Sequence, residues 1–378
     1  MNDMQNFGVR HFKVTRNSLL KRIKNIVLSK KIMILCVISI ITIVLSITFF
    51  STTVCLKIEL DNYDKDNINE KDFKKLDPNI SYYYSNNADI NISKNIAASS
   101  LVGCIENEIS VNNLNNTIKN YINDLYDLYS KSPNYFSFIY RDIYTGFTVS
   151  YNADSPIFTA SSIKAPAMIY IYEKASIGEI DLNEELIYDG RFYSDGSGVL
   201  KDKNYNTSYT VDTLINYTIH DSDNIAYAML MNRYGRKNIY NYWKDKGTKN
   251  IFMYDTIWGT TSANDAVIYM EELYKFYVEN DEYGSRLMKY FKNAEWKQIT
   301  DKDGKYNTAN KGGWAQSAFH DIAIVFEKNP YILAIYSNTG DNYGDYRYLF
   351  DKTSKLVGNL HTEYWKQKMN DCNRIEQY

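Results

Sequence analysis

The 378-residue chain has room for a membrane segment, a linker and one domain of about 250 residues. Its 44% hydrophobic and 23% charged content is that of a globular protein and excludes a wholly disordered one. A net charge of −2 gives the molecule no electrostatic preference for nucleic acid, and its 36 Tyr against 16 Phe are a habit of composition to which no function attaches.

Residues 1–31 form a basic tail, with Arg10, Lys13, Arg16, Lys21, Arg22, Lys24, Lys30 and Lys31 against Asp3 alone. Ile32 to Leu56 then runs without a charge, longer than the ~20 residues a helix needs to span a bilayer. The charge bias predicts a single-pass cell-membrane anchor with a cytoplasmic N-terminus and an extracytoplasmic bulk. A cleaved signal peptide is the competing reading; the long basic region and the lack of an Ala-x-Ala-like site argue against it. Lipidation of Cys55 is disfavoured, since Thr53-Val54 puts no small residue before it.

Residues 57–110 are rich in Asn, Asp and Lys without apolar period, and are read as a poorly ordered extracytoplasmic linker. The remainder, 111–378, is one domain. Leu114, Ile118, Tyr121, Ile122, Leu125 and Leu128 mark an amphipathic helix over 113–129. Strands are predicted at 135–141 and 147–151, around a turn ending in Gly146. A helix carrying Met168 to Tyr172 begins near Ser161, and turn-rich sequence fills 182–210. Further helices are predicted at 211–217, 225–234, 263–277 (capped by Ser262) and 286–291. Strands return at 307–311, 318–326 and 331–337, before a last helix over 345–368. The order implies an α+β fold, one antiparallel sheet formed from both ends of the domain with an all-helical insert between.

Ser161 and Lys164 sit one turn apart at the start of an apolar run, where a neutral lysine can take a serine proton. Pro166 is tolerated there because the first turn lacks ladder partners. The spacing alone carries little, for Ser18 and Lys21 repeat it in the basic tail. Each element also has a plainer reading. Ser161 could cap a helix, Ser222-Asp223 could cap the next, Lys311 could be a solvated charge, and Gly312-Gly313 a turn. His320 is read as structural.

Taken in order, Ser161-Ser162-Ile163-Lys164, Ser222-Asp223-Asn224 and Lys311-Gly312-Gly313 resemble the Ser-x-x-Lys, Ser-Asp-Asn and Lys-Thr-Gly set of class A β-lactamases and penicillin-binding proteins. Gly196-Ser197-Gly198-Val199-Leu200, Thr260-Thr261 and His320-Asp321 fit the same context. The resemblance spans roughly Asn113 to Asp371. It implies a β-lactamase/transpeptidase-like fold, Ser161 as acylated nucleophile, Lys164 as its proton acceptor and Ser222 as proton relay. It further implies substrate contacts from Asn224 and Lys311, with an oxyanion hole from the backbone N–H groups of Ser161 and of Trp314, just after Gly313.

Two departures stand out. Gly312 replaces the motif's Thr, so Lys311 holds a substrate carboxylate without a neighbouring hydroxyl. The Glu-x-x-Leu-Asn loop that activates deacylating water in class A β-lactamases has no counterpart between Lys244 and Gly259, where Asp255 is the one candidate base. The implied function is a membrane-anchored serine hydrolase acting on β-lactams or D-Ala-type peptide bonds, with slow release of the acyl-enzyme. A peptidoglycan D,D-peptidase and a non-hydrolytic sensor or scaffold are the alternatives. The implied partners are a β-lactam or a peptidoglycan stem peptide and the cell membrane through residues 32–56. No metal or organic cofactor is implied, the four His being scattered, and Cys104 and Cys372 are left open as a pair.

Overall fold

The computed structural model describes residues 80–84, 109, 113–251 and 257–375. The predicted anchor at 32–56 therefore lies outside the described residues. Among the described residues no helix is long and apolar enough to cross a membrane.

Strand β1 (Ile80–Tyr84) pairs antiparallel with β3 (Phe147–Tyr151), and β3 with β2 (Phe136–Asp142). The stretch read as linker thus contributes a strand. A Tyr-rich segment has the side chains that favour extended backbone, and adding to an open sheet edge needs no alternating apolar pattern. Two short strands, β4 (Ile157–Phe158) and β7 (Thr260–Thr261), pair across the insert, and β5 (Glu185–Tyr188) with β6 (Thr207–Thr210) makes a hairpin inside it. The insert is therefore not all-helical. These strands are four residues or fewer, too short for period-2 patterning to register.

Strands β8 (Thr308–Ala315), β9 (Ala318–Val325) and β10 (Tyr331–Ser337) complete a six-stranded sheet in the order β1-β3-β2-β10-β9-β8. Both ends of the domain meet where β2 pairs with β10, Ile139 opposite Ala334 and Tyr140 opposite Leu333. Every residue of β2, β9 and β10 is buried, so both faces are covered and the strands read as continuous apolar runs.

One cover is the helix pair α1 (Asn116–Ser130) and α8 (Tyr343–Ile375). The other includes α2 (Lys164–Ser176), α3 (Val211–His220), α4 (Asn224–Tyr234), α5 (Arg236–Asp245), α6 (Ala263–Glu279) and α7 (Tyr283–Lys292). Buried nearly all round, α2 shows little amphipathic stripe. Helix α5 was not predicted: only Ile239 and Trp243 are buried in it, and Gly235 at φ +81 breaks it from α4. The Ser262 hydroxyl accepts the Asp265 N–H at the start of α6, as its sequence implies. Cys372 is disulfide-bonded, and the chain's other three cysteines lie outside the described residues.

Asp142 ties the β2–β3 turn to α8. One carboxylate oxygen accepts the N–H groups of Tyr144 and Thr145 and the Thr145 hydroxyl, at 3.1, 2.7 and 2.8 Å. The other accepts the Trp365 indole N–H at 2.6 Å. The carboxylate is fully buried, so its removal would orphan several donors at once. Asp142→Ala is expected to lower unfolding free energy by about 3 kcal/mol or more, read as a fall in denaturant midpoint. A change under about 0.5 kcal/mol would contradict this.

Candidate active site

The backbone passes Ser161 through a 3₁₀ turn, Ala160–Ile163, just before α2. The sequence predicted α-helix here, but in a 3₁₀ turn residues three apart eclipse, so the spacing still sets Ser161 over Lys164. Ala160 takes φ +42 to enter the turn, a strained conformation for a residue with a Cβ. Ser161 caps neither helix, which removes its plainer reading.

The second element sits between α3 and α4. Ser222 takes φ +53, again left-handed. Asp223 holds it there with both oxygens in use. One caps α4 by accepting the N–H groups of Ile225 and Ala226, and the other accepts those of Val199 and Leu200 at 2.7 and 2.8 Å. Gly198 passes so close that a Cβ on it would lie 2.3 Å from the Asp223 carboxyl carbon. Asp223 is therefore the cap its sequence suggested, and its capping is what presents Ser222.

The third element is edge strand β8. Lys311 is buried, not solvated, and Gly312-Gly313 are strand, not turn. A Cβ on Gly313 would stand 2.8 Å from the Ser162 nitrogen and 2.9 Å from the Thr159 carbonyl oxygen. Only glycine lets β8 lie against the nucleophile turn.

These elements converge. Lys164 Nζ lies 2.6 Å from the Ser222 carbonyl oxygen and 2.7 Å from Asn224 Oδ1. It is 3.1 Å from Ser161 Oγ and 3.2 Å from Ser222 Oγ. Lys311 Nζ approaches Ser222 Oγ from the other side at 3.0 Å and the Gly312 carbonyl oxygen at 2.9 Å. The Ser222 carbonyl also accepts the Ser197 hydroxyl at 2.7 Å.

Burial holds Lys164 well below the ordinary lysine range, and the neighbouring Lys311 charge pushes further in the same direction, with Asp223 opposing. Burial brings Lys311 down to about 7, opposed by Asp321. In its neutral form, which burial favours, Lys164 has two N–H groups. The Ser222 carbonyl and Asn224 Oδ1 can only accept, and they take both. The remaining lone pair is left for a hydroxyl proton, and Ser161 Oγ is a hydroxyl within reach at 3.1 Å.

His320 is structural, as the sequence suggested. The Ser337 N–H donates to Nδ1 at 3.1 Å, so Nε2 carries the hydrogen that binds the Phe158 carbonyl at 2.7 Å. Burial lowers its pKa to about 4, keeping it neutral. Asp255 lies outside the described residues.

Ser161, Ser222, Asn224, Gly313 and Trp314 open onto a cavity of 730 Å³. Among the described residues that line it, the single acid is Asp341, beyond β8. Lys164 Nζ is covered by the rings of Trp258 and Tyr227, 5.3 and 5.8 Å from their centroids. Sequence reasoning missed Ser197 as a partner of Ser222 and the aromatic walls Trp258 and Trp296, since a lone aromatic in a loop carries no motif. Among the described residues no cluster of three or more His, Cys, Asp or Glu could hold a metal ion.

Residues 114–360 match the model of the β-lactamase enzyme family. No curated protein matches the chain. Among solved structures, a PBP-A mutant captured as an acyl-enzyme with penicillin G superposes with TM-score 0.60 at 20% identity, over 65% of this chain and 97% of that one. A β-lactamase from Sphaerobacter thermophilus gives 0.55 at 15% identity, over 66% and 96%. A reconstructed class A β-lactamase of the last common ancestor of Gram-negative bacteria gives 0.56 at 17%, over 63% and 97%. At such identities the likeness shows a shared fold.

An unfolded lysine keeps its proton to about pH 10.4, whereas folded Lys311 releases it near 7. Between these values the unfolded state binds more protons, so stability is expected to rise with pH, by at most about 1.4 kcal/mol per pH unit per group. Lys311→Met should flatten that rise, measured as denaturant midpoints from pH 7 to 10; an unchanged slope would refute the assignment. Gly313→Ala should lower stability by about 1–3 kcal/mol through the contacts its Cβ would make, and a thermal melt at wild-type temperature would overturn that.

Proposed function

The chain belongs to the β-lactamase enzyme family, and we propose that it is a membrane-anchored serine hydrolase whose Ser161 is acylated by β-lactams or D-Ala-type amides. One observation carries the reading: a buried amine with its N–H groups committed stands 3.1 Å from a serine hydroxyl that opens onto the cavity.

In this reading Lys164 takes the Ser161 proton as Oγ attacks the substrate carbonyl. The backbone N–H groups of Ser161 and Trp314 face the developing oxyanion. As the C–N bond breaks, Ser222 passes a proton to the departing nitrogen, polarised by Lys311, which also holds the substrate carboxylate. Asn224 binds the amide on the acyl side.

Release of the acyl group requires an activated water. The aromatic cover over Lys164 and the lack of a carboxylate beside Ser161 among the described residues support slow deacylation, since a positioned base is worth ~10²–10⁴ in rate. A long-lived acyl-enzyme equally favours the second reading, a penicillin-binding D,D-peptidase. A disulfide at Cys372 supports an oxidising, extracytoplasmic location, consistent with anchoring through residues 32–56.

Intact-mass analysis of the full chain with a penicillin should show one adduct per molecule, absent in Ser161→Ala, that decays more slowly than it forms. Decay as fast as formation would refute the slow-release step. Neither adduct nor product would refute the substrate class.

A further inference from the structure

We propose that Trp296 forms a leaving-group subsite selecting substrates with a bulky aromatic group beside the carboxylate; this rests on the acyl-transfer reading above. Trp296 sits between α7 and β8 on a pinned backbone. The Glu295 N–H donates to the His220 carbonyl at 3.1 Å, and the Gln298 and Ile299 N–H groups donate to Asp321 Oδ2 at 2.7 and 2.8 Å. Its side chain is nevertheless 52% exposed, with no hydrogen-bond or ring partner among the described residues.

The cavity's other tryptophans are engaged. Trp314 donates its N–H to the Gly340 carbonyl at 2.9 Å and packs edge-to-face on Tyr343, while Trp258 lies against Tyr227. Both rings thus have partners, although Trp314 stays 57% exposed, whereas the Trp296 ring has none among the described residues.

Its position fixes which end of a substrate it meets. The Trp296 carbonyl oxygen lies 3.1 Å from where a Cβ on Gly312 would stand, next to Lys311. Glu295 is tethered to the last residue of α3, two positions before Ser222. Ser222 and Lys311 serve the departing nitrogen and the carboxylate, so the indole flanks the amine side of the scissile bond, not the acyl side. Trp296 and Gln298 also border a second hollow of 440 Å³, with Tyr306 and Arg347 across it. A substituent on the amine side thus meets an aromatic face and has space beyond it.

The test compares two cephems that differ only in the group beside the carboxylate-bearing carbon, one an arylvinyl and the other a methyl. Second-order acylation rates are followed by intact mass and absorbance on the full chain. Wild type should favour the aryl compound by roughly tenfold, the size of one aromatic contact. Trp296→Ala should erase that preference and leave the methyl compound within about twofold, and Trp296→Phe should retain most of it. Acylation of both with a ratio unmoved by Trp296→Ala overturns this inference alone. Acylation of neither overturns the acyl-transfer reading and this inference with it.

Discussion

Two lysine side chains buried within reach of one serine hydroxyl set the terms for the rest of this molecule. Lys164 and Lys311 approach Ser222 Oγ from opposite sides at 3.2 and 3.0 Å, and among the described residues neither forms an ion pair with a carboxylate. Such an arrangement opposes folding, because desolvation and mutual repulsion both disfavour charge. It persists because the surroundings leave no alternative. Asp223 fixes Ser222 in a left-handed conformation, and Gly198 and Gly313 permit approaches that any Cβ would block. The same forces that raise the energy of the site favour the neutral form of Lys164, the form that the proposed proton transfer needs.

The resulting site is asymmetric. Around Ser161 and Ser222, the side chains of Lys164, Asn224 and Lys311 each lie within hydrogen-bond distance of another member of the cluster. Around the far side of Lys164, where water would need a base, the described residues supply aromatic rings. Gly312 belongs to the same pattern. The Trp296 backbone lies 3.1 Å from its missing Cβ, so a Thr there would press against that segment. The Trp296 carbonyl thus occupies the space beside Gly312 in which a side chain would have to fit.

Much of this was legible in the sequence because glycines, caps and short motifs act locally. Ser161, Lys164, Ser222, Asn224 and Lys311 could be named from the family resemblance of their three motifs taken in order, and the structure brings them together. Strands β2, β3, β9 and β10 announced themselves as apolar runs, since a sheet buried on both faces needs no alternation. What was hidden depends on partners far away in sequence. Strand β1 exists only where β3 offers an edge, and the β5–β6 hairpin is too short to show a period. Helix α5 buries two side chains, below what periodicity detects. The role of Ser197 depends on a carbonyl 25 positions later.

The pairing of β2 with β10 carries a consequence for the order in which this molecule comes into being. Ile139 must find Ala334, so the middle of the sheet cannot close until nearly the whole domain has been synthesised. Contacts of such sequence separation form slowly, and the helices between them can collapse first. Lys311 is carried by a strand of that final third, so a nascent chain holds Ser161 and Lys164 without the second amine. The Ser161–Lys164 pair is thus made early, and the cluster is completed last, when the sheet closes over it.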